Sequence, residues 1–285
     1  MNQALDQGSR LSFKDFERLS RFIHTNFGIK LPRSKHTMLQ SRLSKRLRVL
    51  GMHDFSQYCD YVLCPEGMEA ELVHMVDVVT TNKTEFFRER ASLDRFVGLA
   101  LPSLLREGKV GGTNRLRVWS AGCSTGEEAY SLAICLAESP LGRVERGYTI
   151  LGTDISSRVL ETARLAIYDQ EATRPIPPDL RRKYLMRGKD SEQGLVRVAP
   201  ELRAMVTFQR LNLMEPFKFP QPMHVIFCRN VLIYFDRPTQ EDMLKRFCQV
   251  IRPGGFLFIG HSETIQGMEL PLKQIAPLMF QRVAA

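Results

Sequence analysis

A glycine-bearing turn between two apolar runs holds the residues best suited to chemistry. In RVWSAGCSTGEEAYSLAICLAE, a β-type run leads through Gly122 and Gly126 into a helical run. There Ala129, Leu132, Ala133, Leu136 and Ala137 recur at i, i+3, i+4, i+7 and i+8. The glycines let the backbone bend and approach a ligand where a β-carbon would clash. Ser124/Glu127 and Thr125/Glu128 both have capping-box spacing at the helix start. The spacing is not GxGxxG, and two adjacent glutamates at a helix N-terminus repel a pyrophosphate. A ligand with a cationic centre and no phosphate fits better, and S-adenosylmethionine (SAM), with its sulfonium, ammonium and single carboxylate, has that character.

Further polar residues sit where β-type runs end. Asp154 follows the run TILGT, the place where doubly wound folds put an acid that accepts from ribose hydroxyls, although an Asp there also caps a following helix. Asn212 and Leu213 follow VTFQR, and Arg229, Asn230 and Tyr234 follow VIFC. These are carboxyl ends of strands, the edge at which α/β sheets bind ligands. Upstream, VVTTNKTEFFRER packs Asn82, Thr84, Phe86, Phe87 and Arg88 together; alone, it reads as a polar cap before a buried aromatic pair.

The elements that must position these residues follow from the same patterns. From residue 115, short β-rich runs alternate with helical stretches, which predicts a largely parallel α/β sheet. Strands are expected at Leu116–Ser120, Thr149–Thr153, Val206–Arg210, Val225–Cys228 and Phe256–Gly260. SSRVLETARLAIY and TQEDMLKRFCQVI read as helices, the first with Val159, Ala163 and Ala166 facing inward. LKQIAPLMFQRVA suggests two antiparallel edge strands broken by Pro277. Between the second and third strands, Tyr184–Arg187 and Leu195–Val198 read as an inserted hairpin, a decoration or an edge for an extended peptide. The first 80 or so residues are helical; Leu39, Leu43, Leu47 and Leu50 share a stripe that ends at Gly51, and DFSQYCDYVL and AELVHMVDVV add two further helices.

Composition sets the class. With 285 residues, 44% hydrophobic and 25% charged, the chain is globular and long enough for one large domain or two small ones. No apolar stretch approaches a membrane span and the amino terminus lacks a signal core, so a cytoplasmic protein is expected. Six cysteines without a CxxC pair read as reduced thiols, and no metal site is expected. The net charge of +9 is uneven: residues 1–50 hold 11 basic and 3 acidic residues, whereas 51–90 hold 3 and 8. Arg42, Lys45 and Arg46 share one helical face, either a solvated basic surface or a docking surface for an acidic partner.

Together, TTNKTEFFRE, RVWSAGCSTGEEAYS, LGTDIS, VIFCRNVLIYF and RPGGFLFIGHSE resemble the chemotaxis receptor glutamate O-methyltransferase (CheR) family in order and spacing. The resemblance covers nearly the whole chain. It implies a SAM-dependent methyltransferase (Rossmann-like) α/β domain over residues 81–285, with a small inserted β-subdomain at about 184–205, preceded by a basic all-helical receptor-docking domain over 1–80. It further implies SAM contacts from Asn82, Thr84, Arg88, Gly122, Glu128, Asp154, Asn212, Leu213, Arg229 and Asn230, leaving S-adenosylhomocysteine as product. Arg88 and Tyr234 are implied as catalytic, with Tyr234 near the transferred methyl. Arg42, Lys45 and Arg46 are the candidates for docking on cytoplasmic receptor helices, and the hairpin is a candidate site for a receptor's carboxyl-terminal peptide. Family members commonly carry proline where this chain has Ala129, a change that removes no ligand-facing group.

The implied reaction, methyl transfer to a glutamate side chain, needs no general base, because the carboxylate is already ionised at neutral pH. A tight Arg88 ion pair would dull such a nucleophile, so Arg88 is expected to serve SAM binding and site geometry. An NAD oxidoreductase is disfavoured by the missing GxGxxG. A nucleic-acid methyltransferase is disfavoured because RNVLIYF stands where an NPPY-type segment is expected. A SAM-binding signalling module without catalysis fits the same residues.

Overall fold

The computed structural model describes residues 10–79, 83–111, 114–145, 147–188 and 193–283. The chain divides into two compact units, Met1–Thr81 with Tyr234–Asp236, and Asn82–Ile233 with Arg237–Ala285. No helix among the described residues is long and apolar enough to cross a membrane.

Among its described residues the first unit holds four α-helices, α1 (Phe13–Phe27), α2 (His36–Leu50), α3 (Phe55–Leu63) and α4 (Pro65–Val79). Ser12 caps α1 by accepting from Asp15 N–H, and Gly28 closes it at φ +68°. The expected stripe on α2 is present at Leu39, Leu43 and Leu47, which are buried with Phe16, Leu19, Ile23 and Phe55, while Leu50 is only half-buried; Gly51 ends the helix at φ +67°.

In the second unit α5 (Arg90–Arg95), a π-helical segment (Phe96–Ala100) and α6 (Leu101–Arg106) precede the sheet. Its strands are β1 (Leu116–Ala121), β2 (Tyr148–Asp154), β3 (Ile167–Asp169), β4 (Leu185–Arg187), β5 (Leu195–Val198), β6 (Val206–Arg210), β7 (Met223–Cys228), β8 (Ile251–Ile259), β9 (Leu272–Ala276) and β10 (Met279–Arg282). The helices among them are α7 (Glu127–Ala137), α8 (Ser157–Leu165), α9 (Pro178–Tyr184), α10 (Pro200–Arg203) and α11 (Arg237–Val250). A seven-stranded sheet runs β6-β2-β1-β7-β8-β10-β9, parallel from β6 to β8 and antiparallel at β10 and β9. All five expected parallel strands are in it, and so are the two late edge strands. The chain order reverses between β1 and β7, which opens a crevice at their carboxyl ends. Trp119, Phe227 and Phe258 lie fully buried; the last two rings stack at 4.4 Å, with Phe96 edge-on to both.

The small sheet is larger than the expected hairpin. Its order is β3-β5-β4, so it also draws in Ile167–Asp169. The helix expected through Tyr168 stops at Leu165: Ala166 turns left-handed at φ +54° and its N–H closes on the Thr162 carbonyl. Ala166 is therefore buried as expected, but as the cap of α8 and not within the helix. The turn lets Tyr168 reach inward, where its hydroxyl donates to the Thr125 carbonyl at 2.7 Å.

Candidate active site

Five segments of the second unit converge at the carboxyl ends of β1, β2, β6, β7 and β8. After β1 the chain turns at Gly122, φ +76°, where a β-carbon would stand 2.4 Å from Val231 Cγ2. The N–H groups of Gly122 and Cys123 both donate to the Thr153 carbonyl, at 2.8 and 2.9 Å, tying this turn to the end of β2. Gly126 enters α7 at φ +96°, with a β-carbon's place only 2.9 Å from Ala163 Cβ and 3.1 Å from the Tyr168 hydroxyl.

The two capping boxes suggested by spacing do not form. Gly126, with no side chain, occupies the cap, two residues after Ser124 and one after Thr125, the caps that the two boxes require. The glutamates are used otherwise. Thr125 Oγ1 donates to both Glu127 oxygens at 2.9 and 2.6 Å, and burial pushes the Glu127 carboxyl above its ordinary range against that hydrogen bond. Glu128 accepts from Ser120 Oγ at 2.6 Å and from Arg229 Nη1 at 3.1 Å.

Asp154 is buried at the end of β2. Its Oδ2 accepts from Ser124 N–H at 2.9 Å and its Oδ1 from Ser156 N–H at 3.0 Å, so it anchors the first glycine turn and the approach to α8, whose cap is Ser156. Asn212 forms a local turn, with Oδ1 accepting from Met214 N–H at 3.0 Å and Nδ2 donating to Glu215 at 3.1 Å, while Leu213 beside it is buried.

Arg229 is the centre of the charge network. Its side chain is 2% exposed and lies between two carboxylates, with Nη1 3.1 Å from Glu128 Oε2 and Nη2 3.1 Å from Glu89 Oε2. Nη2 also donates to the Arg88 carbonyl at 2.5 Å. Asn230, at φ +60°, donates to Glu89 Oε1 at 3.3 Å, and His261 Nδ1 stands 3.2 Å from Glu89 Oε2. Burial raises the Glu89 pKa, yet the charge of Arg229 and the hydrogen bonds from Arg229 and Asn230 outweigh it, holding the carboxyl below its ordinary value. Glu263 secures the loop after β7: its Oε1 accepts from Val231 and Leu232 N–H at 2.8 and 2.7 Å, and its Oε2 accepts from Gly260 N–H at 2.6 Å.

The FFRE segment is bent by two left-handed residues, Phe87 at φ +53° and Glu89 at φ +51°, and is pinned to α7 by Phe87 N–H donating to Ser131 Oγ at 2.9 Å. Thr84 is half-buried just before it. Arg88 Nη1 donates to the Lys83 carbonyl at 2.9 Å. Asn82 lies outside the described residues.

Of the expected site residues, the structure thus joins Glu128, Arg229, Asn230 and the Arg88 backbone in one network through Glu89, and ties Gly122 and Asp154 to the adjoining turn between β1 and β2, with Asn212 and Leu213 following β6. Tyr234 falls in the first unit, where its carbonyl accepts from Lys30 N–H at 3.0 Å. On α2, also in the first unit, Lys45 is exposed, but Arg46 is committed inward: Nε and Nη2 pair with the two oxygens of buried Glu71 at 2.5 and 2.8 Å, and Tyr58 donates to the same carboxylate. Arg42 Nη1 donates to the Val78 carbonyl at 2.9 Å. The three side chains share a helical face without sharing a fate.

The arrangement fits a cationic ligand without phosphate. Acids outnumber bases around the crevice and the entrance to α7 is occupied by Glu127 and Glu128, while the buried Arg229 Nε, without a partner among the described residues, leaves one donor for an acceptor such as a ligand carboxylate. The chain matches the CheR methyltransferase SAM-binding domain over residues 82–277 and the CheR all-alpha domain over residues 14–80. It belongs to the CheR methyltransferase family. Chemotaxis protein methyltransferases from Klebsiella aerogenes and Salmonella typhimurium are 43% and 40% identical to it, covering 89% and 93% of this chain and 84% and 89% of their own. A solved SAM-dependent methyltransferase from Methanosarcina mazei overlaps 54% of this chain and 55% of its own at 14% identity, with a TM-score of 0.32. As a CheR-family enzyme, the protein is a methyltransferase with SAM as its cofactor.

Sequence reasoning passed over Glu89, His261 and Glu263, although their motifs were in view. HSE follows the apolar run FLFIG as Arg229-Asn230 follows VIFC, and the strand-end rule that singled out the second pair applies equally to the first.

Proposed function

We propose that this CheR-family methyltransferase acts on glutamate side-chain carboxylates of chemoreceptors and converts them to methyl esters. The observation that carries the reading is how the acids of the crevice are used. Glu89 and Glu128 pair with Arg229, and Asp154 and Glu263 accept backbone N–H groups. Each has a structural bond to keep, and a substrate that is already an ionised carboxylate asks none of them to act as a base.

Gly122, Glu128, Asp154, Asn212, Leu213, Arg229 and Asn230, with Asn82, Thr84 and Arg88, would hold SAM, with Asp154 serving the ribose. Bound SAM supplies an electrophilic methyl group on a sulfonium. The carboxylates of Glu89, Glu128 and Asp154 outnumber the Arg229 guanidinium and so favour a cationic ligand over an anionic one. Arg88 serves binding and geometry, and the Tyr234 hydroxyl orients the reacting groups. Rate comes from alignment and from excluding water around the carboxylate.

In this reading residues 1–80 form a receptor-docking domain with Arg42, Lys45 and Arg46 facing acidic receptor helices, and residues 81–285 form the catalytic domain. Exposed Lys45 is the group best placed to meet the partner, since Arg46 already neutralises Glu71. Strand β4, at an edge of the small sheet, is the candidate place for a receptor's carboxyl-terminal peptide. The enzyme works in the cytoplasm. Transfer of labelled methyl from SAM to receptor-containing membranes, followed by release as methanol in mild base, tests the proposal; a base-stable product, or label on nucleic acid, overturns it.

A further inference from the structure

At the opposite, amino-terminal edge of the large sheet, three adjacent parallel strands each direct a nitrogen-rich side chain into one cleft of about 380 Å³. Arg117 comes from β1, His224 from β7 and Arg252 from β8, and Lys109 joins them from the segment after α6. Donors crowd this cleft and acceptors are scarce. His224 Nδ1 accepts from Arg117 N–H at 3.1 Å, which places its proton on Nε2, 3.2 Å from the Lys109 carbonyl. Arg252 Nη1 donates to the same carbonyl at 3.2 Å and stands 3.2 Å from that Nε2, so two donors meet one acceptor.

Neither guanidinium has a carboxylate partner among the described residues. Arg117 donates to the Pro222 and Arg115 carbonyls. The cleft's single acid, Glu107, is bonded to Lys109 Nζ and Ser103. Burial and the two arginines drive the His224 pKa down to about 4, the response of a group inside an uncompensated positive field. Gly254, at φ +71°, leaves the space that the Lys109 ammonium fills.

We propose that this cleft binds a phosphate-bearing anion. A phosphoryl group offers several acceptor oxygens and a charge near two, matching paired guanidiniums with a neighbouring ammonium. The site is distinct from the cofactor crevice, lying about 16 Å away along β1 at five residues' rise from Arg117 to Gly122.

The test compares inorganic phosphate, pyrophosphate and ADP with chloride at equal ionic strength, using the whole chain and reading thermal unfolding together with fluorescence of Trp119, the one tryptophan. Phosphate-specific stabilisation that Arg117→Gln and Arg252→Gln each weaken about tenfold, with methyl transfer unchanged, is the expected result. ADP binding at least about tenfold tighter than phosphate assigns a nucleotide source, and equal binding assigns the simple ion. Lys109→Met provides the same readout should either arginine variant fail to fold. No stabilisation beyond chloride, equal stabilisation of the variants, or loss of the effect on saturation with S-adenosylhomocysteine overturns the proposal.

Discussion

Arg229 Nη1 lies 3.1 Å from Glu128 Oε2, joining the residue after β7 to the first turn of α7 across 101 positions of sequence. The guanidinium is almost completely buried, and Glu89 holds its other side. Such a triad gains little over an apolar replacement when whole, but removing one member strands the others. Its position at the switch point of the sheet makes it the element that holds FFRE, α7 and the β7 loop in register.

Arg229→Leu leaves Glu89 and Glu128 buried without their cation and is expected to destabilise the protein by about 3–5 kcal/mol. Glu128→Gln keeps the hydrogen bond to Ser120 in reach and costs less stability, while SAM affinity falls about tenfold. Denaturant unfolding and SAM titration on both variants check the two effects separately; unchanged SAM affinity in Glu128→Gln would remove that residue from the cofactor site.

Gly122→Ala meets two obstacles, the positive φ and Val231 Cγ2 at 2.4 Å. We expect a loss of about 1–3 kcal/mol and weakened SAM binding. Adding Val231→Ala relieves the steric part and leaves the backbone part, so a double-mutant cycle should show coupling well above experimental error.

His224 titrates from 6.5 in the unfolded chain to about 4 in the folded one. The unfolded state then binds more protons between those values, so stability rises with pH there and is lost as pH falls from about 6.5 towards 4. The contribution is about 3 kcal/mol at most. The difference in unfolding free energy between the wild type and His224→Asn, followed over that window, isolates it from the carboxylates. Glu127 and Glu263 have the opposite sign: burial raises both, and their share of stability falls as pH rises above the ordinary carboxylate range.

Arg88→Ala is expected to lower SAM affinity with little loss of stability, because among the described residues its side chain bonds only the Lys83 carbonyl. Tyr234→Phe should retain SAM affinity and lose turnover. Full turnover in that variant would leave the hydroxyl without a role.

Arg46→Met should destabilise by about 3–5 kcal/mol by stranding Glu71, whereas exposed Lys45→Glu should leave stability unchanged and weaken receptor association in a salt-dependent way. Measuring methylation against receptor concentration for Lys45→Glu separates docking from folding.

The parallel strands, the α2 stripe and the glycine turn were legible because each is written in neighbouring residues: alternation of apolar runs, a 3.6-residue period, and glycine where a left-handed backbone is needed. Ile167–Asp169 was not legible, because ARLAIYD continues a helical period locally and becomes a strand only by pairing with Leu195–Arg197. The failed Thr125/Glu128 box has a similar origin, since Ser120 and Arg229 compete for Glu128 from other segments.

Residue types and strand ends by themselves pointed to the carboxyl-end edge of the sheet as the place for the chemistry and to a cationic ligand. Only the tertiary structure decided which charges are spent on one another. Arg42, Lys45 and Arg46 are equivalent on a helical wheel, yet a buried carboxylate on α4 claims Arg46 and leaves Lys45 in solvent. Glu89, His261 and Glu263 gain their roles the same way. A charge in water is satisfied anywhere, but a charge taken out of water must find its partner, and that partner is set by the fold, not by sequence neighbours.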